Sequence, residues 1–285
     1  MAVNNSLATR KNQKAGLTAY LTQDAVKDQI NKVVGGKNGQ RFMSAIISAV
    51  NTNPALQECT NPSILSGALL GESLNLSPSP QLGQYYLVPF NDKNKGKVAQ
   101  FQLGYKGYIQ LAIRSGQYKK LNVLAIKEGE LIRFDPLNEE IEVRLIEDEE
   151  AREQAATIGY YAMFEYVNGF KKAMYWSKKR MEAHALKYSK GYQAKKGYTF
   201  WEKDFDAMAY KTMLRQLISK WGIMSIDMMT AMDSDMAVIN EDGTKNYVET
   251  EDDNVIDMEV TEPQEEKTES SDNERPASAS AALFG

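Results

Sequence analysis

Residues 157–176 read TIGYYAMFEYVNGFKKAMYW, two runs of strand-forming residues on either side of Asn168-Gly169. β-branched and aromatic residues favour strands, and Asn-Gly between two such runs is the strongest short-range signal for a β-hairpin. We therefore predict paired strands over residues 157–167 and 170–176. This hairpin excludes a fold made of helices alone and provides the first pair of an antiparallel sheet.

The segments around this hairpin define the rest of the predicted fold. Strand patterns occur upstream of it, at residues 85–90, 98–103, 121–127, 131–134 and 141–146. Helical patterns occur at residues 22–34, 41–50, 62–70, 104–115, 177–188 and 199–221. No repeated βαβ pattern is present. We predict an α+β fold in which an antiparallel sheet of about five strands is flanked by N-terminal helices and a long C-terminal helix.

The region that contains the hairpin is rich in basic and aromatic residues. Residues 166–221 hold 13 Lys/Arg, 4 Asp/Glu and 12 Phe/Tyr/Trp. Phosphates attract cations and unstacked bases stack on flat rings, so this mixture suits a surface that binds single-stranded nucleic acid. It argues against an enzyme that acts on small molecules.

Charge divides the chain into a basic body and an acidic end. Residues 233–285 hold 16 acidic and 3 basic residues, a net charge of −13, which leaves a net charge of +9 on residues 1–232. We predict a mobile arm over residues 1–21, a DNA-binding and oligomerisation domain over residues 22–232, and an acidic, largely disordered tail over residues 233–285. The tail either competes for the DNA surface or recruits a partner, or it serves only as a solubilising end.

The chain contains one cysteine, Cys59, and one histidine, His184. A disulfide within the chain is excluded, which favours a reducing compartment, and no apolar stretch reaches the length of a membrane span. These residues do not suffice for a zinc site, and no phosphate-binding loop of the G-x-x-x-x-G-K-S/T type occurs. We therefore expect a cytoplasmic protein that is not an enzyme and needs neither metal nor cofactor.

The candidate DNA contacts are cations for phosphates together with tyrosine and glutamine side chains for bases. They are Lys93, Lys97, Gln102, Tyr105, Lys106, Arg114, Lys171, Lys172, Lys178, Lys187, Lys190, Tyr192, Lys195, Lys196, Lys211 and Arg215. Lys211 and Arg215 are four residues apart and share a helix face. The alternative for this pair is a solvated face that is paired with Asp204 or Asp206.

Two segments have an alternative that does not involve DNA. The acidic cluster at Asp135, Glu139, Glu140, Glu142 and residues 147–150 could hold Mg²⁺ in a nuclease, but catalytic metal sites gather carboxylates from separate elements, so a solvated linker is favoured. Residues 223–239 carry five methionines that either dock on a neighbouring copy or cover the protein's own core, and the core is favoured.

Five segments resemble the RecT family of phage and prophage single-strand annealing proteins: NPALQECT at 53–60, GESLNLSP at 71–78, YYLVPF at 85–90, FQLGYKGYIQLAIRSG at 101–116 and AYKTMLRQLI at 209–218. The G-Y-K-G block is also similar, more distantly, to the phage Red beta annealing protein. The resemblance implies ATP-independent binding of single-stranded DNA, assembly into rings or helical filaments, and annealing of complementary strands into a duplex. It also implies action beside a phage 5′-to-3′ exonuclease and contact with the host single-strand binding protein. Residue chemistry leaves open a passive single-strand coating protein and, less favoured, a Mg²⁺-dependent nuclease.

Overall fold

The computed structural model describes residues 16–92, 94–197 and 199–247. The helices in this part of the chain are α1 (Leu17–Leu21), α2 (Asp24–Val34), α3 (Gly39–Asn51), α4 (Asn61–Ser73), α5 (Tyr105–Arg114), α6 (Glu149–Gln154), α7 (Lys178–Tyr188), α8 (Lys190–Gln193), α9 (Phe200–Lys203), α10 (Phe205–Trp221) and α11 (Ile226–Ser234), and a short 3-10 helix lies at Pro54–Glu58. The strands are β1 (Tyr85–Asp92), β2 (Gly96–Leu103), β3 (Tyr118–Lys127), β4 (Leu131–Asp135), β5 (Glu140–Val143), β6 (Thr157–Tyr166), β7 (Lys171–Ser177), β8 (Ala237–Ile239) and β9 (Lys245–Tyr247).

The described strands form three antiparallel sheets. Sheet A has the order β1-β2-β8-β9, sheet B has the order β3-β6-β7, and sheet C consists of β4 and β5. The predicted α+β class with antiparallel pairing is confirmed. We predicted a single sheet of about five strands, whereas the described strands are divided among three sheets. The C-terminal strands β8 and β9 extend sheet A next to β2, and β4 and β5 pair only with each other.

The N-terminal helices pack against sheet A around helix α4. Its residues Ile64, Leu65 and Ala68 are at most 1% exposed, and it contacts β2 and β8. A helix that is apolar on nearly every side belongs inside a core, whereas α2 and α3 bury one face each, through residues such as Ile30 and Ile46. This layer holds sheet A in place.

Sheet B has one covered face and one face turned away from the helices. Tyr160, Ala162 and Phe164 of β6 are fully buried in a cluster with residues of α7 and α10. Because successive side chains of a strand alternate between faces, Met163 and Glu165 lie on the opposite face. The two faces of sheet B therefore offer different surfaces to the surroundings.

The β6–β7 hairpin is confirmed, but its loop has three residues. Gly169 N donates to Tyr166 O at 3.0 Å, and Tyr166 N donates to Phe170 O at 2.9 Å. Gly169 has φ +88°, in the left-handed region. These features match a turn that is followed by a left-handed glycine, which is the usual form of a three-residue hairpin loop.

The glycines of the G-Y-K-G block are required by a close backbone approach. A Cβ on Gly104 would lie 2.1 Å from Gly83 O, and a Cβ on Gly107 would lie 2.1 Å from Gln84 O. No side chain fits at either distance. The start of α5 can therefore pack directly on the residues before β1, and this packing fixes Tyr105 between the two glycines.

The helix predicted over residues 199–221 is broken at Asp204. Asp204 has φ −144° and ψ 77°, which are not helical values, and its side chain accepts a hydrogen bond from Ala207 N at 2.9 Å. Aspartate is among the best residues at a helix N-cap, so Asp204 ends α9 and starts α10. The apolar periodicity across this point concealed the break.

Both predicted domain boundaries shift in the structure. Leu21 of α1 is fully buried, so residues 16–21 of the predicted arm are part of the fold, and residues 1–15 lie outside the described residues. Asp235 is 3% exposed, and Phe101 of β2 pairs with Ala237 of β8. The fold thus continues through the first 15 residues of the predicted tail, and residues 248–285 lie outside the described part.

Helix α11 tests the two roles considered for the methionines of residues 223–239. Met228 is 1% exposed, and Met224 and Met232 pack against the main core. Met229 and Met236 are 54% and 44% exposed. The favoured interpretation, that this segment covers the protein's own core, is confirmed for Met224, Met228 and Met232.

Candidate nucleic-acid interface

Six aromatic side chains form three pairs of ring contacts, and two of these pairs are linked through the ring of Tyr160. We call them the aromatic row: Tyr86, Tyr105, Tyr192, Phe200, Phe205 and Tyr210. Ring centroids are 5.9 Å apart for Tyr86 and Phe200, 5.7 Å for Tyr105 and Tyr210, and 6.1 Å for Tyr192 and Phe205. Each of the six is half-buried, so part of each ring is accessible. Partly exposed rings in one area are suited to stacking with bases.

Five elements of the fold supply these rings. Tyr86 lies on β1 and Tyr105 at the start of α5, while the remaining four come from α8, α9 and α10. Tyr160 of β6 is buried beneath them, with its ring centroid 6.1 Å from that of Tyr210 and 6.2 Å from that of Phe205. The row is therefore assembled by tertiary packing, and its members are spread over residues 86–210.

A capping box orients the part of the row that comes from α9. The backbone N–H of Thr199 and that of Gly197 each donate to the carboxylate of Glu202, both at 3.0 Å. Thr199 is 5% exposed. This reciprocal cap fixes the direction in which the chain enters α9, and it thereby positions Phe200 next to Tyr86.

Exposed lysines border the aromatic row. Lys106 follows Tyr105, with its Nζ 5.9 Å from the centre of the Tyr105 ring. Lys187, Lys190 and Lys195 are exposed on α7, α8 and the turn after α8, the segment that contributes Tyr192. All four were predicted from the sequence as DNA contacts. Positive charge next to a set of rings matches the chemistry of a single strand, whose phosphates lie outside its bases.

Two carboxylates lie at the row itself. Asp204 caps α10, and Asp206 accepts a hydrogen bond from Tyr160 OH at 2.6 Å. Burial and then the charge of Asp204 raise the pKa of Tyr105, so its hydroxyl stays protonated at neutral pH. Negative charge here disfavours phosphates over the rings, so a bound strand would place its bases on the row and its phosphates at the lysines.

Lys211 and Arg215 meet a buried carboxylate that sequence reasoning did not identify. Lys211 Nζ lies 3.0 Å from Asp235 Oδ1, and an Arg215 guanidinium nitrogen lies 2.5 Å from Asp235 Oδ2. Asp235 also accepts from Leu103 N at 2.9 Å and from Tyr108 OH at 3.3 Å. The predicted sharing of one helix face is correct, but the partner is neither Asp204 nor Asp206. Asp235 was missed because it lies in the segment predicted to be the tail.

Three other predicted cations also have partners within the protein. Lys97 pairs with Glu58, and Lys172 pairs with Glu139 while its Nζ lies 3.8 Å from the centre of the Trp221 ring. The third cation, Arg114, donates a hydrogen bond to Leu74 O at the end of α4, at 2.7 Å. Such partners are distant in sequence and leave no local signal.

The remaining predicted contacts have varied surroundings. Lys93 lies outside the described residues, whereas Lys178 is half-exposed at the start of α7 and Lys196 is exposed after α8. Gln102 is half-buried beside Tyr86 on the neighbouring strand and donates to Gln100 at 2.8 Å. Lys171 Nζ lies 3.5 Å from the carboxylate of Glu165. The interface thus unites a subset of the predicted residues, Tyr105 and Tyr192 among them, with four rings that we had not predicted.

Among residues 16–92, 94–197 and 199–247, no group of three or more His, Cys, Asp or Glu side chains could hold a metal ion. The acidic residues at the β4–β5 turn have local hydrogen bonds: Asp135 accepts from Leu137 N at 2.9 Å and from the Asn138 side chain at 2.9 Å. No helix in the described ranges combines the length and the apolar character of a membrane span.

The fold and this surface define an α+β protein whose chemistry suits a nucleic-acid chain. Residues 40–267 match the model of the RecT family, and the chain belongs to that family. It is 39% identical over 282 residues to the uncharacterized protein YqaK of Bacillus subtilis (strain 168), a match that covers 96% of this chain and 92% of YqaK. It is 28% identical over 236 residues to Protein RecT of Escherichia coli (strain K12), covering 81% of this chain and 84% of that protein. The family membership predicted from the sequence is confirmed, and it implies single-strand DNA annealing in recombination.

Proposed function

We propose that this protein binds single-stranded DNA without ATP and anneals complementary strands as a homo-oligomer. The observation that carries the proposal is the aromatic row bordered by exposed lysines in a member of the RecT family. Stacking and phosphate contacts act on any sequence, which an annealing protein requires. The proposal needs no catalytic group and no metal.

The proposed mechanism holds the backbone and leaves the pairing edges of the bases free. Lys106 beside Tyr105, together with Lys187, Lys190 and Lys195 of the segment around Tyr192, contacts phosphates. One face of each base stacks on a ring such as that of Tyr105, while its Watson-Crick edge faces outward. A second strand can then test those edges by base pairing, so that base pairing and not the protein selects the complementary strand.

The proposed assembly joins the surfaces of neighbouring copies into one track. A strand bound to several copies is held extended, so correct pairing can spread from one copy to the next. Within this proposal the protein acts beside a 5′-to-3′ exonuclease that produces single strands, and its C-terminal region contacts the host single-strand binding protein. A passive coating protein would share the track but would hold strands apart.

The decisive test follows the annealing of two complementary oligonucleotides by fluorescence, with no nucleotide and no metal, and then measures strand length on a denaturing gel. We expect faster annealing and intact strands. Binding without faster annealing would favour the coating protein, and strands shortened after Mg²⁺ is added would favour a nuclease. With about six phosphates per copy, the slope of log affinity against log salt should be near −4.

A pair of matched variants tests where the strand lies. Asp204→Asn keeps a good N-cap for α10 but removes a negative charge next to the aromatic row, so it should bind single strands several-fold more tightly at low salt. Asp227→Asn makes the same chemical change in the first turn of α11 and should have little effect. Equal affinities in the two variants would move the proposed strand away from the row.

A further inference from the structure

We propose a second binding site for the phosphates of single-stranded DNA, formed by Lys119, Lys120 and Lys171 on the face of sheet B that is turned away from α7 and α10. We call these residues the lysine triad. Lys119 and Lys120 were not among the contacts expected from the sequence. The inference rests on the proposed function, because it concerns the same ligand at a different surface.

The triad is organised by one buried carboxylate. Glu165 is 4% exposed, and its oxygens lie 2.7 Å from Lys119 Nζ, 3.9 Å from Lys120 Nζ and 3.5 Å from Lys171 Nζ. The hydrogen bond from Lys119 is the main cause that lowers the pKa of Glu165 below its usual value. Glu165 is therefore ionised at neutral pH and acts as a positioning residue for all three ammonium groups.

Strand register explains why three lysines converge here. Lys120 of β3 and Lys171 of β7 both pair directly with Glu165 of β6, so the three side chains share one row across sheet B. In a regular strand Lys119 would point to the other face. The register shifts between Tyr118 and Lys120, and this irregularity lets both consecutive lysines reach the same carboxylate.

The triad and Glu165 together carry a net positive charge, which can attract an anion. One cation neutralises Glu165, so two positive charges remain. The side chains of Lys119, Lys120 and Lys171 are 57%, 65% and 66% exposed, whereas that of Glu165 is 6% exposed. A buried anion beneath exposed cations holds them close together against their mutual repulsion. A phosphate diester backbone supplies the repeated negative charge that fits this arrangement.

The part of this sheet face next to the triad has side chains that suit a flexible polynucleotide. Asn122 and Met163 pair in the register after the lysine row, and Leu124 pairs with Tyr161 further along the strands. Asn122 is exposed, and Met163 and Tyr161 are half-buried. Further along, sheet C covers this face, since the ring of Phe134 lies 5.0 Å from that of Tyr175, the partner of Tyr161. The accessible part therefore combines the lysine row with the amide of Asn122 and the thioether of Met163.

The test uses a double variant that keeps the buried carboxylate paired. Lys120→Ala with Lys171→Ala leaves the 2.7 Å contact between Lys119 and Glu165 intact. The matched control is Lys32→Ala with Lys37→Ala, which removes two exposed lysines at the end of α2 and in the turn that follows it. Salt dependence of binding to a long oligonucleotide is measured for the full-length proteins, together with thermal unfolding as a check on folding.

We expect the slope of log affinity against log salt to become less steep by about 1.4 in the triad variant, since each lost phosphate contact on a single strand contributes about 0.7. The control variant should keep the wild-type slope. Equal slopes in the triad variant and the wild type, with normal annealing by both, would overturn the second site and leave the proposed function standing. Wild-type protein that binds no single strand would overturn both.

Glu165→Gln provides a test of opposite sign. Glutamine keeps a hydrogen-bond acceptor for Lys119 but raises the local net charge by one, so single strands should bind more tightly at low salt. A purely structural role for the triad predicts no gain in affinity in this variant. Unchanged or weaker binding by a folded Glu165→Gln protein would therefore contradict the proposal.

Discussion

Asp235 connects the C-terminal segment to the core through a buried ion pair. Its carboxylate is fully buried and accepts hydrogen bonds from Leu103, Tyr108, Lys211 and Arg215. These partners belong to β2, α5 and α10, so one side chain joins three elements. A buried charge is tolerated when cations and hydrogen bonds surround it, as they do here.

Asp235→Asn should lower the free energy of unfolding by about 3 kcal/mol, because removing one member of a buried ion pair leaves the cations uncompensated. Urea unfolding followed by circular dichroism measures this loss. Asp233→Asn is the matched control, since Asp233 pairs with Lys245 at the surface and its side chain is 66% exposed. A control that is as unstable as Asp235→Asn would show that the loss does not come from the buried pair.

A variant of Arg215 can show whether this residue stabilises the fold or binds DNA. The sequence predicts that it holds phosphate, whereas the structure places it 2.5 Å from Asp235. We expect Arg215→Ala to lower the free energy of unfolding by about 2 kcal/mol, the usual value for a hydrogen bond between charged groups. The salt slope of the folded variant should equal that of the wild type. A slope that is less steep by about 0.7 would instead establish a phosphate contact at this residue.

His184 should make stability depend on pH. Its ring lies 5.5 Å from that of Trp176 and 6.4 Å from that of Trp201, and burial, followed by the charges of Lys187 and Arg180, holds its pKa below 6.5. Below about pH 6.5 the unfolded chain binds this proton more readily than the folded protein, so the free energy of unfolding falls with falling pH.

Because His184 is the one histidine of the chain, His184→Gln should remove the pH dependence of stability that sets in as the pH falls below about 6.5. Denaturant titrations of both proteins at several pH values measure this effect. The same dependence in the variant would assign the proton uptake to carboxylates instead.

At the scale of elements, the β6–β7 hairpin depends on one glycine. Gly169 has φ +88°, and a Cβ at this position would meet nothing within 4 Å. Gly169→Ala should therefore lower the free energy of unfolding by about 1 kcal/mol through backbone strain without any clash. Gly36→Ala is the control, since that position is equally open and its φ is not in the left-handed region. Equal melting temperatures for the two variants would contradict the strain argument.

Local signals predicted the elements well where neighbouring residues decide the structure. The Asn168-Gly169 hairpin and the strands on either side of it are of this kind, because turn chemistry and alternation lie within a few residues. The pairing of Phe101 with Ala237 has no such signal. Acidic composition around a three-residue strand concealed β8, and apolar periodicity concealed the break at Asp204. A tertiary contact decides the first case, whereas a local N-cap that the periodicity outweighed decides the second.

The candidate interface could be predicted only in part, because exposed charges follow from composition but ring contacts depend on the fold. Exposed lysines such as Lys106 and Lys190 follow from composition, because charged residues rarely find a place inside. Tyr105 and Tyr192 of the aromatic row were predicted as contacts, but their ring partners Tyr210 and Phe205 were not, because folding brings each pair together. In the sequence, Lys119 and Lys120 do not differ from any other pair of surface lysines. Only the strand register shows that both lie next to the buried Glu165.

At the scale of the whole molecule, the contribution of the C-terminal residues can be tested by truncation. A protein that ends at Tyr247 keeps β8 and β9 and should retain its melting temperature. It loses residues 248–285, which hold 12 acidic and 2 basic residues, so it should bind single strands more tightly at low salt. A protein that ends at Met232 lacks Asp235 and should lose its cooperative unfolding transition. A normal melting curve for the shorter protein would contradict the structural role of the C-terminal hairpin.

The pairing of β2 with β8 also sets an order of events during folding. Residues 101 and 237 are far apart in the chain, so bringing them together costs more loop-closure entropy than forming the β6–β7 hairpin does. We expect the hairpin to form early and β8 to dock after the rate-limiting barrier. Contacts that form after the barrier mainly control the unfolding rate. The ion pairs of Asp235 with Lys211 and Arg215 should therefore slow unfolding. In stopped-flow experiments, Asp235→Asn should unfold faster than the wild type, with little change in the folding rate.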